Sequence, residues 1–107
     1  MKTIHNKLVR DFIPKIIESN GQSCTYHILD DQAYLDALDQ KMNEELSEYQ
    51  RDKSMEELAD LLEVIHAVIT ARGSTWEEVE SIRKAKAEKR GGFEQKIWLV
   101  ETNDSQK

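Results

Sequence analysis

The chain reads as a mainly α-helical protein, a four-helix bundle carrying one small two-stranded β element. Three observations predict this class. Apolar residues recur at spacings of three and four over most of the length. Only one Pro and four Gly interrupt 107 residues. The charged and hydrophobic fractions, 34% and 38%, suit helices that bury one stripe and solvate the rest. A chain of this length fits one domain, assigned to residues 1–101, with 102–107 as a polar tail left without structure. Its core is real but thin, so that oligomerisation would help it.

Asp11 is placed to cap a first helix through Phe12, Ile13, Pro14, Ile16 and Ile17, since Pro is tolerated in a first turn. Asn20-Gly21 ends it. Residues 23–29 are rich in strand formers and bounded by turn residues, which predicts a short strand. Asp30 or Asp31 then starts a long helix whose apolar stripe is Leu35, Leu38, Met42, Leu46 and Tyr49. Gln50-Arg51-Asp52-Lys53 reads as a tight polar turn. Ser54-Met55-Glu56-Glu57 has the form of a capping box and opens a third helix reaching to about Arg72-Gly73. That helix carries a broad apolar face of Leu58, Leu61, Leu62, Ile65, Val68 and Ile69, extended by Val64 and Ala67. Such breadth predicts burial on more than one side, within a bundle or at a subunit interface. A fourth helix begins at Ser74-Thr75, has Glu77 and Glu78 near its positive end, and stops at Gly91-Gly92 after Arg90. Residues 93–100 read as a second strand, which would pair with the first because a lone strand is not stable.

Two acidic pairs carry the chemistry: Glu45 with Glu48, and Glu57 with Asp60. Spacing of i,i+3 puts each pair on one helix face. If the helices fold back antiparallel, Glu48 faces Glu57 and Glu45 faces Asp60 one level deeper. With residues about 100° apart, Glu45 falls roughly 40° from the centre of its apolar stripe and Glu44 about 140° away. Glu45 is therefore expected near the core and Glu44 in water. A near-core acid must be paired, metal-bound or protonated. Four carboxylates this close repel strongly, and a hard cation with oxygen ligands relieves the repulsion, so the pattern points to Mg²⁺, with Mn²⁺ as the alternative. The capping box offers Glu57 a purely structural role instead. Glu63-Val64-Ile65-His66 matches the ExxH spacing of di-iron bundles, but those need two such motifs and only one is present. His66 is expected to be packed or hydrogen-bonded instead of binding metal.

Basic residues cluster at Lys7-Leu8-Val9-Arg10 and at Lys84, Lys86, Lys89 and Arg90. The second cluster suits a helix C-terminus, and it equally suits phosphate oxygens that a metal does not reach. The net charge of −6 argues against non-specific nucleic-acid binding, because no basic surplus exists to displace counterions. A lone cysteine, Cys24, excludes an internal disulfide framework and is read as a small apolar residue in a reducing compartment. No signal-peptide core and no membrane-length apolar run are found, so a cytoplasmic protein without membrane contact is expected.

Taken together, Asn6-Lys7-Leu8-Val9-Arg10-Asp11 with Ile13-Pro14, Ile28-Leu29-Asp30-Asp31, Glu57-Leu58-Ala59-Asp60-Leu61-Leu62-Glu63-Val64-Ile65 and Lys86-Ala87-Glu88-Lys89-Arg90-Gly91-Gly92-Phe93 resemble the MazG-type all-α nucleoside triphosphate pyrophosphohydrolases. That superfamily includes phosphoribosyl-ATP pyrophosphohydrolases and dimeric dUTPases, and the likeness is to its small house-cleaning branch. It covers about residues 6–101. It implies Mg²⁺-dependent cleavage between the α and β phosphates of a non-canonical or surplus nucleoside triphosphate, giving a monophosphate and pyrophosphate. By the resemblance, Glu45, Glu48, Glu57 and Asp60 hold the metal, Lys86 and Arg90 grip phosphates, and Lys7 and Arg10 belong to a substrate-binding terminal motif. The broad face of the third helix adds a homodimer or a dimer of dimers. A nucleotide- or partner-binding helical module that keeps the metal site with little turnover is the alternative. The short connection between the acidic pairs leaves little loop to cover a base, and the recognised base and sugar stay open.

Overall fold

Asp30 and Ser54 start the two long helices, and each does so with its side chain. The Asp30 carboxylate accepts from the Ala33 N–H at 2.8 Å and the Ser54 hydroxyl from the Glu57 N–H at 3.2 Å. Each bond satisfies a donor that the first helical turn leaves free. In the computed structural model, which describes residues 1–104, the helices are α1 (Ile13–Ser19), α2 (Asp31–Asp52), α3 (Met55–Ala71) and α4 (Trp76–Arg90). The described residues contain no strand. The part of the expected polar tail at 105–107 lies outside the described residues.

Two compact units divide the chain, Met1–Trp76 and Glu77–Lys107. In the first, α2 packs on α3 as an antiparallel hairpin. The turn between them is shorter than expected, because Gln50, Arg51 and Asp52 stay helical and only Lys53 and Ser54 connect. Lys53 makes this possible by taking a left-handed conformation, φ 58°, with its N–H on the Tyr49 carbonyl at 2.7 Å. At the far end Arg72 pairs with Asp39 at 3.3 Å across the hairpin.

The contact stripe of a two-helix hairpin is narrow, following a seam of alternating three- and four-residue steps. On α2 the buried and half-buried positions include Leu38, Met42, Glu45 and Tyr49, and on α3 they include Glu57, Leu61, Val64, Val68 and Ile69. Leu38, Val64 and Ile69 are the buried apolar side chains of the described residues. Leu46, expected inside the stripe, is 40% exposed, whereas its neighbour Glu45 is 7% exposed. Val64 is covered within the chain, so it does not belong to an exposed face of α3; Leu62 does.

Three local expectations are corrected. Asp11 does not cap α1: the N-cap is Phe12, without a side-chain bond, and the chain turns in through Ile13 N–H on the Arg10 carbonyl at 3.0 Å. Residues 23–29 are irregular, with Tyr26 and Ile28 exposed. Residues 93–100 form no strand either; they begin with a turn, Lys96 N–H to the Phe93 carbonyl at 3.2 Å, with Lys96 at φ 60°. A strand exists through its ladder, and neither run is in one.

The second unit contains most of α4. Glu77 and Glu78 stand at its positive end and Lys89 and Arg90 in its last turn, each complementing the helix dipole. Glu80 and Arg83 pair along it. Gly91, at φ 82°, ends it with an N–H on the Ala87 carbonyl at 2.8 Å. No helix among the described residues is long and apolar enough to cross a membrane.

Candidate metal centre

Because the hairpin closes through only two residues, the carboxylates flanking the turn meet across the seam. Ligand atoms of Glu45, Glu57 and Asp60 lie within 4.8 Å of one another, and so do those of Glu44, Glu45 and Glu48. Glu45 belongs to both groups, and the negative charge of Glu48 bears on both Glu45 and Glu57. The four acids read from the sequence are thus gathered at one end of the α2–α3 pair.

The electrostatics of this end are strained in one direction. Glu45 has its carboxyl pKa pushed above the ordinary value, first by burial and then by the negative charge of Glu48, while Lys41 opposes the shift. Glu57 is raised as well, by burial, then by Glu48, with Asp60 and Asp52 adding to it. One oxygen of each, Glu45 Oε2 and Glu57 Oε2, is buried without a hydrogen-bond partner. Ser54 makes its half of the capping box with the Glu57 N–H, and Glu57 Oε2 is buried without a hydrogen-bond partner.

Basic side chains supply part of the missing charge. Lys41, four residues before Glu45 on the same helix face, reaches Glu44 Oε1 and Glu45 Oε1, both at 3.4 Å. Arg10 Nη2 donates to Asp60 Oδ1 at 2.9 Å, and Lys7 Nζ stands 3.9 Å from Glu44 Oε1. The segment before α1 therefore brings both of its expected basic residues to the acids. Lys86 and Arg90 are exposed on α4, in the second unit. His66 stacks flat on Trp76, ring centroids 4.0 Å apart, so its imidazole is engaged as a packing surface. Cys24 is a free, partly buried thiol whose Sγ lies 3.9 Å from the Pro14 carbonyl.

Two participants were not singled out by sequence. Lys41 carried a usable signal, its i,i+4 offset from Glu45. Glu44 did not: its position on the helical wheel points to water, but its long side chain bends back to Lys41 and Lys7 and joins Glu45 and Glu48.

The donors present fit a hard divalent cation. All are carboxylate oxygens, the set that favours hard cations such as Mg²⁺, Ca²⁺ or Mn²⁺ over softer metals. Oxygens around a six-coordinate Mg²⁺ lie about 3–4 Å apart. Groups within 4.8 Å need only small side-chain rotations to reach that. Comparison with protein-family models, with curated proteins and with solved structures gave no match.

Proposed function

We propose that the chain is a Mg²⁺-dependent nucleoside triphosphate pyrophosphohydrolase of the MazG-like all-α kind. It would cleave a non-canonical or surplus nucleoside triphosphate between its α and β phosphates, in a house-cleaning role. The observation that supports this reading most is the convergence of Glu45, Glu48, Glu57 and Asp60 with two buried carboxylate oxygens that have no hydrogen-bond donor. Buried carboxylate oxygens that none of the chain's own donors reach suit a cation.

In this reading Glu45, Glu48, Glu57 and Asp60 bind the cation, and Glu44 flanks them. When bound, Mg²⁺ or Mn²⁺ supplies neutralisation of phosphate charge and a lowered pKa for a water molecule. Lys41 holds Glu44 and Glu45 in place from within α2. Lys7 and Arg10 put positive charge beside the acids, where a polyphosphate needs partners. Lys86 and Arg90 are assigned to phosphate binding through the sequence resemblance alone. Exposed Leu46 and Leu62 on the hairpin favour assembly as a homodimer or a pair of dimers. The free cysteine is in keeping with a cytoplasmic setting.

A panel of nucleoside triphosphates incubated with Mg²⁺ tests the reading. One water is consumed for each Pα–O bond broken, so pyrophosphate and monophosphate should appear in equal amounts and vanish with a chelator. Stepwise release of orthophosphate would refute the cleavage site. The second reading, a binding module with little turnover, is favoured by one fact: Glu45 and Asp60 have cationic partners within the chain, Lys41 and Arg10. Nucleotide binding without pyrophosphate release would establish it.

A further inference from the structure

We propose that Arg10 is a switchable counter-ion, which neutralises Asp60 while the carboxylate cluster is free of metal and turns to a phosphate group once a divalent cation is bound. The inference deepens the metal-dependent reading above and rests on it.

Charge balance is the starting point. Glu44, Glu45, Glu48, Glu57 and Asp60 gather around the end of the hairpin, and Lys7, Lys41 and Arg10 make ion pairs with them. The cations therefore fall short of the carboxylates. The shortfall is felt at Glu45, which is 7% exposed, belongs to both carboxylate groups and has a buried oxygen with no hydrogen-bond partner. An uncompensated carboxylate oxygen buried that deeply calls for a cation.

Lys41 and Arg10 differ in how they are held. The side chain of Lys41 is 17% exposed, rises from the same helix as its partners and serves two of them at 3.4 Å. Arg10 comes from the irregular segment before α1, fifty residues away from Asp60 in sequence, and their side chains are 57% and 43% exposed. A pair this open is weak. A dication sharing the carboxylates of Glu45, Glu57 and Asp60 would stand within a few ångström of the guanidinium and repel it. Arg10 is then a free guanidinium at the rim of a metal site, and its planar fork of N–H donors matches phosphate oxygens.

Two effects of opposite sign follow for Arg10→Gln. Metal should bind more tightly, because a competitor for Asp60 is gone, and a polyphosphate should bind more weakly. The test is Mn²⁺ binding to the full chain, followed by spin resonance of free Mn²⁺, and then calorimetry with inorganic tripolyphosphate in excess Mg²⁺. Arg10→Gln should raise Mn²⁺ affinity about two- to fivefold, the range of an exposed ion pair. It should lower tripolyphosphate affinity by at least as much. Arg10→Lys keeps the charge but not the fork; it should leave Mn²⁺ affinity near wild type and bind tripolyphosphate with intermediate strength. Unchanged or weaker Mn²⁺ binding by Arg10→Gln would overturn the proposal, making Arg10 an orienting partner of Asp60 or an incidental one. Tighter Mn²⁺ with unchanged tripolyphosphate would overturn it too. If Asp60→Asn loses Mn²⁺ while Arg10→Gln gains nothing, this inference alone fails; if wild type takes up no Mn²⁺, the metal reading fails and carries this one with it.

Discussion

Changing Glu45 to Gln removes one charge from the most buried acid of the chain with almost no change in volume. Its sign can be worked from the distances. Lys41 Nζ lies 3.4 Å from Glu45 Oε1, an attraction of ~1.2 kcal/mol in a water-like dielectric. A neighbouring carboxylate within 4.8 Å repels Glu45 by at least ~0.9 kcal/mol on the same scale, and by more if the surroundings are less polar. Two repulsions of that size exceed the attraction, and burial adds a desolvation cost that Gln does not carry. In chelator the variant should therefore be more stable than wild type by about 1 kcal/mol, an increase in Tm of roughly 4–8 °C for a domain of this size. Saturating Mg²⁺ should reverse the order. A cation present at a hundred times its Kd adds ~2.7 kcal/mol to the state that binds it, and the variant, lacking a ligand charge, should gain far less. Thermal melts of both proteins in chelator and in Mg²⁺ read this crossover directly. Glu56→Gln, on an exposed position of α3, is the control and should keep the wild-type response. Glu44, expected in water from its helical phase, is unsuitable for that purpose because it joins Lys7, Lys41 and the cluster. A variant less stable than wild type in chelator, with the same response to Mg²⁺, would refute the reasoning: the Lys41–Glu45 pair would then be structural and Glu45 would not be a metal ligand.

The pH dependence follows from the same acids. Glu45 and Glu57 have folded pKa values above the ordinary 4.5, so the folded chain holds their protons more tightly than the unfolded chain does. Stability in chelator should therefore rise as the pH falls from above the folded pKa values toward 4.5 and stop responding to these two groups below it; a Tm that falls steadily across that window would contradict the assignment. With saturating Mg²⁺ the trend should invert there, since protons and metal compete for the same oxygens. Sedimentation should show a homodimer or larger assembly at micromolar concentration, and a stable, well-folded monomer would remove that part of the reading.

Helices and their limits are legible in this sequence because they are made locally. An i to i+4 ladder and a cap within three residues need nothing distant, which is why Asp30 and Ser54 mark the starts of α2 and α3 and Gly91 the end of α4. The facing of the two acidic pairs is nearly as local, since helical phase and a short turn fix it. Even there the phase reading reached only so far, placing Leu46 in the stripe and Glu44 in water, because a wheel ignores how narrow the seam of two helices is and how far a Glu side chain bends. The strands expected at 23–29 and 93–100 failed for the complementary reason: β-propensity describes a residue's fit to a ladder, and a ladder is supplied by another segment or not at all. Tertiary structure alone decided that Arg10 meets Asp60, fifty residues along, and that an oxygen of Glu45 is buried without a donor. Both depend on which chain passes over the end of the hairpin, and contact between distant residues is not encoded in the spacing of either one.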